Sequence, residues 1–114
     1  MNIKYIARRR GEGKTQRLIE ILEKCANAGI PCVVYHKLPI NTDDFIHRFI
    51  DYTGKHPSTL NIKFANEHRM LRGLWEDGTT LFVDNLSINF PFDIRPRNSN
   101  FTIITTIDAE DVGY

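Results

Sequence analysis

An apolar run, Ile3-Lys4-Tyr5-Ile6-Ala7, leads into Arg8-Arg9-Arg10-Gly11-Glu12-Gly13-Lys14-Thr15, and a helical pattern begins at Gln16. This order of strand, glycine-bearing basic turn, Lys-Thr and helix constrains the fold more than any other stretch. It is the context in which a phosphate-binding loop works. Gly11 and Gly13 admit backbone angles closed to other residues and place no side chain between the main chain and a ligand. Successive N–H groups, from Arg10 through Gly11, Glu12, Gly13, Lys14 and Thr15 to Gln16, are then expected to point at a phosphate. The positive end of the helix that starts there adds to the attraction. Lys14 is expected to reach the outer phosphates, and the Thr15 hydroxyl to hold the magnesium ion that bridges them.

The chain of 114 residues is long enough for one core, so residues 1–114 read as a single minimal domain. A net charge of +1 gives no overall field that would recruit nucleic acid, and any such binding has to be local. The dense basic cluster is Arg8-Arg9-Arg10 with Lys14 and Arg17, all in the loop and its helix. Cys25 and Cys32 lack a metal-ligand spacing and make no disulfide framework, so they read as reduced core residues of a cytoplasmic protein. No stretch is apolar enough to span a membrane, and the apolar run before Arg8 is too short for a signal peptide.

The pattern predicts a first helix over residues 15–28, with Leu18, Ile21, Leu22 and Cys25 on one face and a Glu20–Lys24 pair on the other. Gly29 and Pro31 stop it, and Cys32 to Tyr35 reads as a strand buried on both faces. Strand, helix and strand make a βαβ unit. Asn41 or Thr42 can cap a second helix, with Asp43 and Asp44 in its first turn, Phe45, Ile46, Phe49 and Ile50 inward, and Gly54 at its end. Residues 60–64 alternate apolar and polar, as an edge or antiparallel strand would. A short helix is expected over 66–75, a turn at Asp77-Gly78, a strand over 79–84, a long loop over 85–100 and a last strand over 101–107. The fold class is therefore α/β: a mostly parallel sheet of about five strands with helices on both faces, Tyr5, Val34, Phe82 and Ile104 lying on its central strands. Either the strand at 60–64 closes the sheet, or an edge is left for a partner or a second copy.

A second motif is Leu81-Phe82-Val83-Asp84, an apolar strand that delivers a carboxylate at its C-terminal end, where ligands of parallel sheets bind. In the pattern G-x-x-x-x-G-K-[ST], Gly13, Lys14 and Thr15 match and the first glycine falls on Arg8. The chain thus resembles the P-loop NTPases. Within them it is similar to the variant loops of viral DNA-packaging terminases, in which arginines precede G-K-[ST]. The resemblance implies a P-loop NTPase-like sheet, binding of ATP or GTP with Mg2+, and a role for Asp84 in the magnesium shell opposite Thr15. Lys14 and Asp84 would then be the catalytic residues. Thr105 and Thr106 fall where the resemblance expects a sensor of the terminal phosphate, although threonine also simply suits a strand.

One departure bears on turnover. Many enzymes of this superfamily place a glutamate after the strand's aspartate to activate water; here Asn85 stands there, and an amide is no general base. Glu12, Glu76 and Asp77 are candidate substitutes among which spacing does not choose. His36 and Lys37 follow the second strand, with a satisfied loop histidine as the commoner outcome, and Arg95 and Arg97 lie in the long loop. Arg8 to Arg10 read as nucleotide contacts, as a docking patch for DNA or an acidic protein, or as a solvated rim. Two functions follow: a small nucleotide-binding protein with weak or partner-dependent ATPase activity, in viral or mobile-element DNA metabolism, or a non-catalytic interaction protein on a degenerate P-loop fold. A third, a small-substrate kinase, lacks a second arginine-rich lid and an evident acceptor site in the sequence.

Overall fold

The computed structural model describes residues 2–8, 13–36, 39–66, 78–83 and 102–108. In chain order they form β1 (Asn2–Arg8), α1 (Lys14–Asn27), β2 (Cys32–Tyr35), α2 (Pro39–Thr53), a 3-10 turn (Pro57–Leu60), β3 (Ile62–Ala65), β4 (Thr80–Val83) and β5 (Thr102–Asp108). The fold is α/β. Four strands make an all-parallel sheet in the order β3-β2-β4-β5, two helices pack on it, and β1 pairs in parallel along the outer side of β5.

Burial explains why these segments became these elements. All four residues of β2 are buried, as are all four of β4, so neither strand needs a polar face. Cys32 and Val34 of β2, Phe82 of β4, Ile104 of β5 and Ile62 of β3 share one core with Leu18, Ile19 and Leu22 of α1 and Phe45 and Phe49 of α2. Both helices therefore cover the same face. The alternate residues Val33, Tyr35, Leu81, Val83, Ile103 and Thr105 point to the other face and are buried as well. Of the helix expected over 66–75 only Asn66 is among the described residues, and the loop over 85–100 lies outside them.

Several expectations need correction. β1 is the outermost described strand rather than a central one, because β5 returns between it and β4. The strand expected at 60–64 is β3, displaced to Ile62–Ala65: the 3-10 turn takes up Leu60, and Asn61 adopts a left-handed φ of 56°. It is an edge strand, as its alternation implies, and it is parallel to β2. α2 begins at Pro39, not after Asn41 or Thr42, since proline's fixed φ suits a first helical position. Asp43 and Asp44 consequently fall beyond its first turn. In α1, Ile19 joins Leu18 and Leu22 in the buried stripe, while Ile21 and Cys25 pack at its margin. Glu20 pairs with Arg17 and accepts from Tyr52 rather than pairing with Lys24. Both cysteines are free; burial pushes the Cys32 thiol up to about 12, and it donates to the Ile30 carbonyl at 3.2 Å.

Phe49 is fully buried between α2 and the sheet, so Phe49→Ala should cost about 3–5 kcal/mol of stability. Ile40→Ala, at a position 71% exposed, should stay within about 0.5 kcal/mol. Urea unfolding of the two variants checks the contrast.

Candidate functional site at the C-terminal edge of the sheet

Parallel pairing puts the C-terminal ends of all five strands on one edge. Tyr5, Thr105, Val83, Tyr35 and Ala65 form one register row across the sheet. β4, β2 and β3 end in that row, whereas β1 and β5 continue to Arg8 and Asp108, which are themselves register partners. The edge is therefore stepped, high on the side where β1 hands over to the loop. β5 separates β1 from β4, so those two strand axes lie about 10 Å apart.

Gly13 begins α1 with a left-handed backbone, φ 78° and ψ 37°, and its carbonyl accepts the first helical bond from Arg17 N–H at 3.0 Å. A left-handed residue followed by a helical one is a backbone alternation from which anion-binding concavities are built. As the helix N-cap, Gly13 offers no side chain to its first N–H groups, and the first turn holds no acidic residue. Lys14 and Thr15 follow, half-buried, and Gln16 is exposed. A Cβ placed on Gly13 would have the Gln16 Oε1 as its nearest neighbour at 3.8 Å, so the carboxamide folds back over the start of the helix. Arg10, Gly11 and Glu12 lie outside the described residues, as do Arg9 and, at the end of β4, Asp84 and Asn85.

Of the two adjacent threonines of β5, Thr106 shares the face of Ile104, on which α1 packs, and Thr105 points to the other face. Both are fully buried, and the Thr105 hydroxyl donates to the Thr106 carbonyl at 3.3 Å. Thr106 is thus the one on the side of the loop helix. His36 is buried immediately after β2. Its N–H donates to the Ala65 carbonyl at 3.0 Å, its Nδ1 lies 3.5 Å from the Thr42 hydroxyl, and its ring tilts against Phe45 at 5.2 Å. Those contacts join β2, β3 and α2, which is a structural role. Lys37, Glu76, Asp77, Arg95 and Arg97 lie outside the described residues. Among the described residues no three His, Cys, Asp or Glu side chains come together as a metal site, and no helix is long and apolar enough to cross a membrane.

Sequence reasoning missed one feature beside the loop. An open groove of about 380 Å³ runs between α1 and α2, lined by Thr15, Gln16, Ile19, Arg48, Asp51 and Tyr52. The Tyr52 hydroxyl donates to Glu20 Oε1 at 2.6 Å, and Arg17 donates to Glu20 Oε2 at 2.9 Å. Those two bonds hold the Glu20 carboxyl below its usual range, the tyrosine contributing more than the arginine. An exposed aromatic on the polar side of α2 was the sole hint, since Tyr52 and Glu20 stand 32 residues apart in the chain.

No protein-family model matches this chain, and no curated protein is significantly similar to it in sequence.

Gly13→Ala should destabilise the fold by about 1–2 kcal/mol through the left-handed φ alone, because the added methyl meets only ordinary van der Waals contact. Denaturant unfolding measures it; an unchanged midpoint would mean that the loop relaxes to another backbone conformation.

Proposed function

We propose that this chain binds a nucleoside triphosphate, ATP or GTP, with Mg2+ at the start of α1, on a P-loop NTPase-like fold with helices on both faces of its sheet. The observation that carries the reading is the left-handed Gly13 opening α1 with Lys14 and Thr15 directly after it, at the C-terminal edge of an all-parallel sheet. Main-chain N–H groups at a helix start suit phosphate oxygens, and the absence of an acidic residue from the first turn leaves the helix's positive end to a bound anion. Lys14 supplies the ammonium for the outer phosphates, and Thr15 with Asp84 the oxygens for the metal. Asp84 follows β4, two strands across from β1, and Thr106 of β5 lies on the helix-bearing face between them. Magnesium, when bound, neutralises charge on the phosphates.

Triphosphate in excess should stabilise the native chain in proportion to its occupancy, by about 2.7 kcal/mol at a hundred times the dissociation constant. Lys14→Ala should remove that shift while changing the unliganded stability by no more than about 1 kcal/mol, the size of a single charge's effect at a helix start. Thermal unfolding with and without ATP or GTP and Mg2+ reads both. No shift in the native protein would reject the proposal.

Turnover is a separate matter. Asn85 in place of a carboxylate leaves the attacking water without a base at that position, a deficit of about a hundred- to ten-thousand-fold. The isolated chain should therefore hydrolyse nucleotide slowly, and Asn85→Glu should raise the rate. Appreciable activity would then require a group supplied by a partner, a neighbouring subunit or the arginine-bearing segment 85–100; Arg8 to Arg10 would be the docking patch for such a partner, in the DNA metabolism of a virus or mobile element. Asn85 also favours a second reading, a non-catalytic interaction protein. Rapid hydrolysis by the purified native chain would reject both statements.

A further inference from the structure

We infer that the groove between α1 and α2 is a subsite for an uncharged nucleobase carrying an exocyclic amine, belonging to a second ligand beside the triphosphate. Its position relative to the outer phosphates rests on the function proposed above; its chemistry does not. The volume, about 380 Å³, lies within the range of small-molecule sites. Beneath it lies Ile19, which is 1% exposed and belongs to the core, so the ring surface open to a ligand is that of Tyr52. Tyr52 forms one wall and remains 46% exposed, leaving ring surface for a flat partner. That ring is held rather than loose: its hydroxyl is anchored on Glu20, which Arg17 holds in turn. A pre-positioned, half-exposed aromatic suits stacking of a heteroaromatic ring.

The polar lining points to the same class of ligand. Asp51 offers a carboxylate acceptor, and Gln16 offers both a donor and an acceptor. Neither side chain bonds to another described residue. An amino group beside a ring nitrogen, as on adenine or cytosine, presents the complementary donor and acceptor. Arg48 closes the groove, but its Nε is turned to Asp44 Oδ2 at 3.1 Å, and its charge is balanced across the lining by Asp51. One cation and one anion leave the groove without net charge, which suits a neutral base and not a phosphate.

The geometry also separates this ligand from the triphosphate's own base. Thr15 stands at the mouth of the groove, and on the proposed function its hydroxyl faces the metal on the outer phosphates. The groove runs from there along α1 to Ile19, about 6 Å farther down the helix. It therefore opens next to the terminal phosphate, the end of the nucleotide farthest from its base.

Calorimetric titration of adenosine, cytidine and uridine into the native chain, alone and with saturating ATP and Mg2+, tests this. Adenosine and cytidine should bind, and uridine, lacking the amine, should bind more weakly. Tyr52→Ala should weaken adenosine at least about tenfold, as loss of a stacking partner does. Tyr52→Phe, which keeps the ring, should fall between, and Asp51→Asn should reduce the preference over uridine. Lys14→Ala should leave adenosine binding intact while abolishing that of ATP, so failure of the loop reading and failure of the groove are told apart. The inference is overturned if no nucleoside binds the native chain at millimolar concentration. It is also overturned if Tyr52→Ala binds as tightly as native, or if ATP displaces adenosine competitively, which would assign the groove to the triphosphate's own base.

Discussion

The parallel direction of every strand pair is the constraint from which the rest follows. Antiparallel neighbours would scatter the loop ends over both edges of the sheet; parallel ones must send each connection back across a face and deliver every C-terminus to the same edge. The return path through α1 and α2 buries one face, and the hydrophobic runs Cys32 to Tyr35 and Thr80 to Val83 leave no polar face to solvent. Burial of these backbones forces complete hydrogen bonding, which the ladder supplies. What remains for chemistry is the edge. There the step between the long pair β1–β5 and the shorter β4, β2 and β3 sets the shape of the surface.

α2 turns that edge into a sided one. Phe45 and Phe49 fasten it to the sheet, and at its start Thr42 and Phe45 close over His36. At its other end Tyr52 reaches Glu20 on α1. The carboxylate is lowered in pKa because both partners favour its charged form, so their contribution is complete above the ordinary glutamate value of 4.5 and fades as pH falls through the depressed folded value. Glu20 is half-exposed on the helix surface, and the bonds matter for geometry more than for stability. They set the distance between the two helices and with it the width of the groove.

The sequence revealed most where burial alone decides. β2 was read to the residue and α1 to within one residue at each end; of the four inward positions expected in α2, Phe45 and Phe49 are buried, while Ile46 and Ile50 are only half-buried. Legibility fell where local and tertiary effects compete. Pro39 started α2 earlier than the polar caps at Asn41 and Thr42 suggested, and Asn61, by taking a left-handed turn, delayed β3. The place of β1 in the sheet could not be read, since strand order depends on which non-local pairings close, and periodicity carries no information on that. For the same reason the loop at Gly13 to Thr15 was visible as a contiguous motif, whereas the groove was not. Its walls come from two helices and meet through contacts made across the fold.

The start of α1 breaks the usual helix rules in a consistent direction. Helices favour anions near the N-terminus and a Ser, Thr, Asp or Asn cap; α1 has a bare glycine, no acid in its first turn, and Lys14 and Arg17 within it. A cation at an exposed helix start opposes the dipole by about 0.3–1 kcal/mol, an effect that for Arg17 is offset by its pair with Glu20. The other end conforms, with Lys24 in the last turn beside the helix carbonyls. Conflict confined to one end, in a helix otherwise well suited to its environment, is the pattern expected where stability has been given up for binding. Arg8 to Arg10, immediately upstream in the chain, increase the local positive charge on a molecule of net charge +1. A bound polyanion relieves both the dipole and the cation repulsion at once. The affinity on this reading comes from a defect in the unliganded helix as much as from new contacts, and it needs no carboxylate after Asp84. On the proposed function, binding and turnover are separable in this chain: the first would rest on charge and backbone at Gly13, the second on a proton acceptor that Asn85 does not provide.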